Sequence, residues 1–410
     1  MGVRRRMLLR APGGAVLAAG IAVPTASPGT AAGRGVARAV VAATILSLVA
    51  LSASPGTAAA GRSVAAWAKF RFDQSNSGVN PFETTLTPQN VAGLTLKWTA
   101  QTSSFITASP AVVGGVLYIG SWDHSVYAFD ALTGAPVWTV TTGDQVLSSP
   151  TVLNGVLYVG SYDNHLYALD AATGAQRWAA AVFGAVESSP NLANGLVYVA
   201  SVDKKIYAFN ATTGARKWAV PTFSRSYSSV GLGNGIAYVG SRDRALYAVG
   251  AVSGRPLWRA FTGDYIDSSP DVAGSVVYIG SFDGSLYAFN ALSGAKIWSF
   301  PTGDYIDSSP AVWNGTVYFA SHDGYEYALD ASTGALLWST LIGETPSSPA
   351  IAGGMVFVTS QAGVAAALDP ATGTVLWATN LGTPIRSSPS VVNGMVYFGA
   401  DNGKVYAFGL

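Results

Sequence analysis

Residues 148–178 read SSPTVLNGVLYVGSYDNHLYALDAATGAQRW, and the same pattern returns about every 40 residues along most of the chain. Apolar, aromatic and β-branched residues fall in short runs broken by turn residues, which is the signature of packed strands rather than helices. Asn154-Gly155 suits a two-residue hairpin, because both positions tolerate the positive φ that a right-twisted pair requires. Asp163 marks a second reversal and Thr173-Gly174 a third, so the unit reads as four strands, the last carrying Trp178.

The period is exact enough to set the architecture. Trp98, Trp138, Trp178, Trp218, Trp258, Trp298 and Trp338 are 40 apart, and Trp377 follows after 39. Every unit has a turn pair at the first hairpin: Gly114-Gly115, Asn154-Gly155, Asn194-Gly195, Asn234-Gly235, Gly274-Ser275, Asn314-Gly315, Gly353-Gly354 and Asn393-Gly394. Four antiparallel strands repeated at fixed period make an all-β propeller. Units begin near Ala108, Ser148, Ser188, Ser228, Ser268, Ser308, Ser347 and Ser387, which predicts eight blades. The first tryptophan strand, LTLKW at 94–98, precedes any unit, and the last unit stops at YAFGL without one. The two deficits match, so 94–101 is expected to complete the last blade and close the ring, leaving no free sheet edge.

Residues 94–410 are therefore read as the propeller, 63–93 as an N-terminal extension and 1–62 as an export signal region. The last holds seven Arg and no acid, with Arg4-Arg5-Arg6 before one apolar run and Arg34 and Arg38 before another, AVVAATILSLVALSA at 39–53. Basic start, short apolar run and small-residue exit mark a secretory signal, here two in tandem. The 39–53 run is short against the roughly 20 apolar residues of a spanning helix, so cleavage is favoured over an uncleaved anchor. The mature protein is expected outside the cytoplasm, extracellular or in the cell envelope, without a membrane span and as a monomer.

Residues 63–410 carry 16 Lys/Arg against 22 Asp/Glu, a balance of −6. A mildly acidic body with no evident basic stripe argues against nucleic acid as a partner. The absence of cysteine excludes disulfides, thiolate metal sites and a lipidated N-terminal Cys.

AFDALTGAPVW at 128–138, repeated with small changes at 168–178, 208–218, 288–298, 328–338 and 367–377, resembles the docking motif AxDxxTGxxxW of pyrroloquinoline-quinone (PQQ) type propeller repeats. A weaker copy at 248–258 has Gly250 for Asp and Ser253 for Thr. The leader at 67–98 also resembles the segment before the first blade in that family. The resemblance implies that the eight tryptophans form a girdle between adjoining blades. It also implies one of two classes: quinoprotein dehydrogenases holding PQQ and Ca²⁺, or non-catalytic propellers similar to BamB, which bind other proteins. No blade carries a long insertion to wall in a cofactor and no vicinal Cys pair exists, so the non-catalytic class is preferred here, with no cofactor and no metal site. The alternatives are a PQQ/Ca-dependent dehydrogenase-like enzyme and a carbohydrate-binding propeller.

TGDYIDSSP occurs at 262–270 and again at 302–310. In this blade order the loops entering each SSP lie on the face opposite the Asn-Gly turns. Asp264, Tyr265, Asp267, Asp304, Tyr305 and Asp307, with Arg225 and Tyr227 in the preceding loop, are thus the candidate top-face site for a protein or envelope polymer. Paired carboxylates there also suit Ca²⁺, while the plainer reading is a duplicated loop whose Asp residues cap turns. The recurring Asp of GSxD and of YALD is read as structural in every blade. Trp122, Tyr162, Phe282 and His322 share one rim position, with Arg242 and Gln361 at the same place. The three histidines, His124, His165 and His322, sit on blades too far apart to share a metal.

Overall fold

A computed structural model describes residues 66–410; the export signal expected over 1–62 lies outside the described residues. Eight sheets of four antiparallel strands follow one another along the chain, each running strand by strand from an inner three-residue strand to an outer one, and Val79–Asn80 adds a fifth, parallel strand inside Ala350–Ala352 of blade 7. Blade 1 spans residues 111–141, and blade 7 ends with Val375–Asn380. In blade 8 the outer strand is Thr95–Gln101, paired antiparallel with Lys404–Gly409 at the chain's other end. The only helical element among the described residues is a single 3-10 turn, Val91–Gly93.

Seven of the eight first-hairpin pairs have positive φ at both positions. The exception is Gly274-Ser275, where only Gly274 (φ 61°) does, as in a II′ rather than a I′ turn.

The repeated Ala of YALD has a packing reason. In blade 2, Ala168 lies opposite Tyr158 on one side and Trp178 on the other, so its small side chain lets the two rings approach to 5.8 Å. Tyr158 Oη and Trp178 Nε1 then both donate to one carbonyl of blade 3, Ala211 O, each at 3.1 Å. Gly214 sits against the Trp178 ring so closely that a Cβ would come within 2.8 Å of it. The same arrangement carries the indole of each blade onto the next, and Trp377 closes the series on Leu94 O.

Inner strands of a propeller line the channel, and their outward-facing backbone groups need partners. At the top, the second serine of each SSP supplies them. Ser109 N donates to Ser149 Oγ, and the series continues through Ser189, Ser229, Ser269, Ser309, Ser348 and Ser388 until Ser388 N donates back to Ser109 Oγ. These eight bonds, all between 2.8 and 3.1 Å, form a closed circle.

Lower in the channel, the N-terminal extension does the same work. Trp67 pairs with Val112 of blade 1, Ala68 O accepts from Val152 N of blade 2, and Gln74 O accepts from Asn191 of blade 3 and Leu232 N of blade 4. Ser75 O serves Val272 of blade 5, Gly78 O serves Ile351 of blade 7 and Asn80 reaches Val391 O of blade 8. Arg71 donates to Pro310 O and Pro349 O, linking blades 6 and 7. One segment thus touches the inner edge of every blade. Its buried Lys69 has a pKa pushed down to about 7 by burial, with Nζ donating to Phe70 O, Asp73 O and Asn76 Oδ1.

Trp218→Ala should lower stability by about 2–4 kcal/mol, the large-to-small range reduced for partial exposure, while Trp218→Phe should cost about 1 kcal/mol for the lost bond to Ala251 O. Equal losses in denaturant melts would show that the bond, not the ring, matters. Ser229→Ala leaves the buried Ser189 N–H without its acceptor and should cost about 1–3 kcal/mol; an unchanged melt would mean the serine circle is not stabilising.

Candidate functional site

The channel opens at the top as a funnel of about 500 Å³. Its floor is the serine circle, with Phe70 of the N-terminal extension below. The wall is built from two rings of residues that the repeat places identically in every blade. One ring sits two residues before the second serine: Thr107, Leu147, Glu187, Tyr227, Asp267, Asp307, Pro346 and Arg386 all line the funnel. The other ring is the rim position of the GSxD turn, of which Trp122, Tyr162 and Arg242 reach the lining.

Across these rings the side chains pair. Arg242 grips Asp267 in bidentate fashion, Nε 3.0 and 3.1 Å from the two carboxylate oxygens and Nη2 2.6 Å from Oδ2. Its guanidinium also lies over the Tyr227 ring at 4.3 Å. Tyr162 donates its hydroxyl to Glu187. Burial raises the carboxyl pKa of Glu187, with the Tyr162 hydrogen bond pulling it down. Asp267 is likewise raised by burial, against the pull of Arg242. Trp122 Nε1 donates to Thr107 Oγ1, and Arg386 lies 3.4 Å from Asp401.

The two copies of TGDYIDSSP divide their work the same way but find different partners. Asp264 and Asp304 accept the backbone N–H of the next residue, Tyr265 and Tyr305. Asp267 meets Arg242, whereas Asp307 lies 2.9 Å from His322 Nε2. His322 Nδ1 is 2.9 Å from Glu344, so the imidazole is held between two carboxylates. Rings from both loops meet in one series: Tyr265 lies tilted against Phe282 (6.3 Å), Phe282 stacks on Tyr305 (4.6 Å) and Tyr305 on His322 (3.8 Å).

Of the eight residues singled out from sequence, Tyr227, Asp267 and Asp307 line the funnel, and Tyr265 and Tyr305 form its aromatic flank. Asp264, Asp304 and Arg225 stand outside the lining, and Arg225 is exposed with its carbonyl, not its guanidinium, engaged. The loop carboxylates therefore do not converge on one cation. Glu187, Arg386 and Glu344 were missed, although aligning the residue two places before each second serine would have exposed the first two. The short loops also build more of a pocket than their length suggested, because eight of them share it.

The recurring aspartates are turn and loop fasteners. Asp163 Oδ2 accepts from Gly143 N and Tyr167 Oη, both at 2.7 Å, tying one blade's turn to the preceding loop. Asp130 Oδ1 accepts from Leu132 N, Thr133 N and Thr133 Oγ1. His124 lies near Asp144 and His165 near Asp163, apart from His322.

A calcium-bound quinone is a poor match for these donors as arranged. Both oxygens of Asp267 face a guanidinium, Asp307 faces an imidazole and Glu187 holds a tyrosine hydroxyl. Ca²⁺ binds six to eight oxygens, and a dication placed here would lie against Arg242 and His322.

This architecture defines a PQQ-type repeat propeller of eight blades. The chain belongs to the family described as outer membrane protein assembly factor BamB, whose model matches residues 89–179, 123–229, 221–348 and 327–409. No curated protein matches it in sequence. Among solved structures it is similar to BamB from Moraxella catarrhalis (20% identity, TM-score 0.68, covering 77% of this chain and all of that one). It is similar also to a europium-containing methanol dehydrogenase (15%, TM-score 0.73, 84% and 98%). A third is the quinohemoprotein alcohol dehydrogenase from Comamonas testosteroni (19%, TM-score 0.70, 84% and 80%). At these identities the likeness concerns the fold, which hosts both binding proteins and enzymes.

Burial lowers the His322 pKa, but Asp307 and Glu344 together outweigh it and raise the value above the ordinary 6.5. The stability this ionisation contributes should be full below pH 6.5 and fade as pH rises through the raised value. Following the imidazole by NMR should show the upward shift, and His322→Gln should flatten that part of the stability profile; a pKa at or below 6.5 would contradict the clamp.

Proposed function

We propose that the mature chain works outside the cytoplasm as a non-catalytic binding propeller, taking a segment of another protein into the top-face funnel. The observation that carries this reading is that the funnel's charged groups are satisfied by one another. Arg242 is ion-paired with Asp267, Glu187 accepts the neutral Tyr162 hydroxyl, and Asp307 is held by His322, which with Glu344 stands just outside the lining, all beside a series of rings. Such pairs can exchange partners with the charged side chains and backbone of an extended peptide, and the rings supply rigid apolar contact. Among the described residues no helix is long and apolar enough to cross a membrane. Family membership supports the same reading, since the family is described by an assembly factor.

Selection of displayed random peptides on the purified protein, with calorimetry of the selected sequences, tests the proposal. Binding should weaken about tenfold or more, at least 1.4 kcal/mol, in Arg242→Ala and in Tyr305→Ala. PQQ with and without Ca²⁺, and soluble envelope oligosaccharides, are titrated alongside. Saturable PQQ binding lost in Arg242→Ala would replace the proposal with the dehydrogenase-like reading. Oligosaccharide binding lost in Tyr305→Ala would replace it with the carbohydrate reading.

A further inference from the structure

The net charge of the body conceals a strong segregation. Residues 183–261, from the loop entering blade 3 to the outer strand of blade 4, carry nine Lys/Arg against three acids, a balance of +6. The rest of 63–410 carries seven against nineteen, a balance of −12. The absence of a basic stripe, expected from composition, does not hold for this sector.

The same sector exposes phenylalanine. Ser103, Gly143, Phe183, Phe223, Gly263 and Gly303 occupy one structural position, since each donates its backbone N–H to the Asp of the following GSxD turn. Small residues suffice there elsewhere, yet the two adjacent loops of this sector carry Phe, with 78% and 73% of the residue exposed. Phe261, at the end of blade 4's outer strand, is 62% exposed. Cations sit over these rings: Lys205 Nζ is 5.0 Å from Phe183, and the Arg259 guanidinium is 5.0 Å from Phe223 and 5.7 Å from Phe261. Lys204 and Arg244 occupy the neighbouring turns and Arg225 the loop after Phe223. None of these residues lines the funnel, and Arg259 and Phe261 stand on the outer strand of blade 4.

We propose that the outer top edge of blades 3 and 4 docks on an anionic lipid bilayer, the phenylalanines entering the interface and the cations meeting lipid phosphates. Solvent-exposed rings on rigid turns lose apolar contact with water by entering a headgroup layer, and each adjacent cation is drawn to an anionic surface. An anionic polymer would satisfy the cations but leave the three rings in water. This docking is independent of what the funnel binds, and it would hold the funnel at a fixed angle to the membrane.

The test is co-sedimentation of the full chain with vesicles of phosphatidylglycerol and phosphatidylcholine in equal parts, against vesicles of phosphatidylcholine alone. Binding should favour the anionic vesicles and weaken with salt. Phe183→Ser/Phe223→Ser and Lys205→Gln/Arg259→Gln should each reduce partitioning about tenfold without changing the melting transition. Because the chain has no cysteine, Ser224→Cys takes a single polarity-sensitive dye beside Phe223, and Ser103→Cys places the same dye at the equivalent loop elsewhere on the ring. A blue shift on anionic vesicles is expected for Ser224→Cys alone. Equal shifts at both sites, or partitioning unchanged in the phenylalanine variant, would overturn the proposal. Loss in the cation variant with the phenylalanine variant unaffected would make the sector a polyanion site and also sink it.

Discussion

The inner edge of each blade presents backbone donors and acceptors to a channel, and the whole ring depends on satisfying them. A short strand with an unpaired edge is a template for aggregation when exposed and a large penalty when buried. The chain meets this constraint twice. The serine circle links each blade's inner strand to the next through side-chain oxygens at the top. The N-terminal extension supplies main-chain partners below, touching every blade in turn. The channel is thereby floored, and the upper opening becomes a funnel rather than a pore.

Outside the channel, adhesion between blades is carried by a different device. The indole of each blade reaches a carbonyl of the next, over a glycine that leaves room for the ring, and in six blades a tyrosine hydroxyl converges on the same carbonyl. The two devices explain why so much of the unit recurs. Serine, alanine, glycine and tryptophan each answer a need that every blade has, and tyrosine one that most blades have, blade 7 using Phe357 in its place. Variation is free only where no neighbour imposes a need: the rim of the turn, the residue before the serines and the loop position held by its backbone N–H. The funnel wall is made from those positions, and so are Phe183 and Phe223 of the basic sector, while Lys205, Arg259 and Phe261 come from strand residues beside them. Glu326 departs from this rule, replacing an apolar residue on a buried strand face. Its carboxyl is fully buried without a hydrogen-bond partner among the described residues and is held well above the ordinary carboxylate range by desolvation, with Arg71 opposing.

Much of the molecule was legible before any coordinates. A period of 40 with a turn pair in every unit admits few architectures, because hairpin chemistry is local and reads directly from residues such as Asn154-Gly155. The Asx role of Asp130 and Asp163 was legible for the same reason. The candidate site was legible only in part. Asp267 and Asp264 sit three residues apart in one loop and look equivalent, yet one reaches Arg242 and the other accepts from the N–H of the residue beside it. The two copies of TGDYIDSSP are identical in sequence and differ in partner because Arg242 and His322 stand at the same rim position on different blades. Which of two carboxylates faces a channel depends on where the neighbouring blade sits, and no local pattern states that.

By itself, then, the sequence determined the repeat, the strand count and the tryptophan positions, since each follows from short-range periodicity and turn stereochemistry. The tertiary structure alone decided which side chains meet. The serine circle joins residues about 40 apart and the N-terminal extension joins residues up to 311 apart, while the funnel collects single residues from eight loops. Those encounters are set by the angle and closure of the ring, and a contact between distant segments leaves no mark on the residues that lie between them.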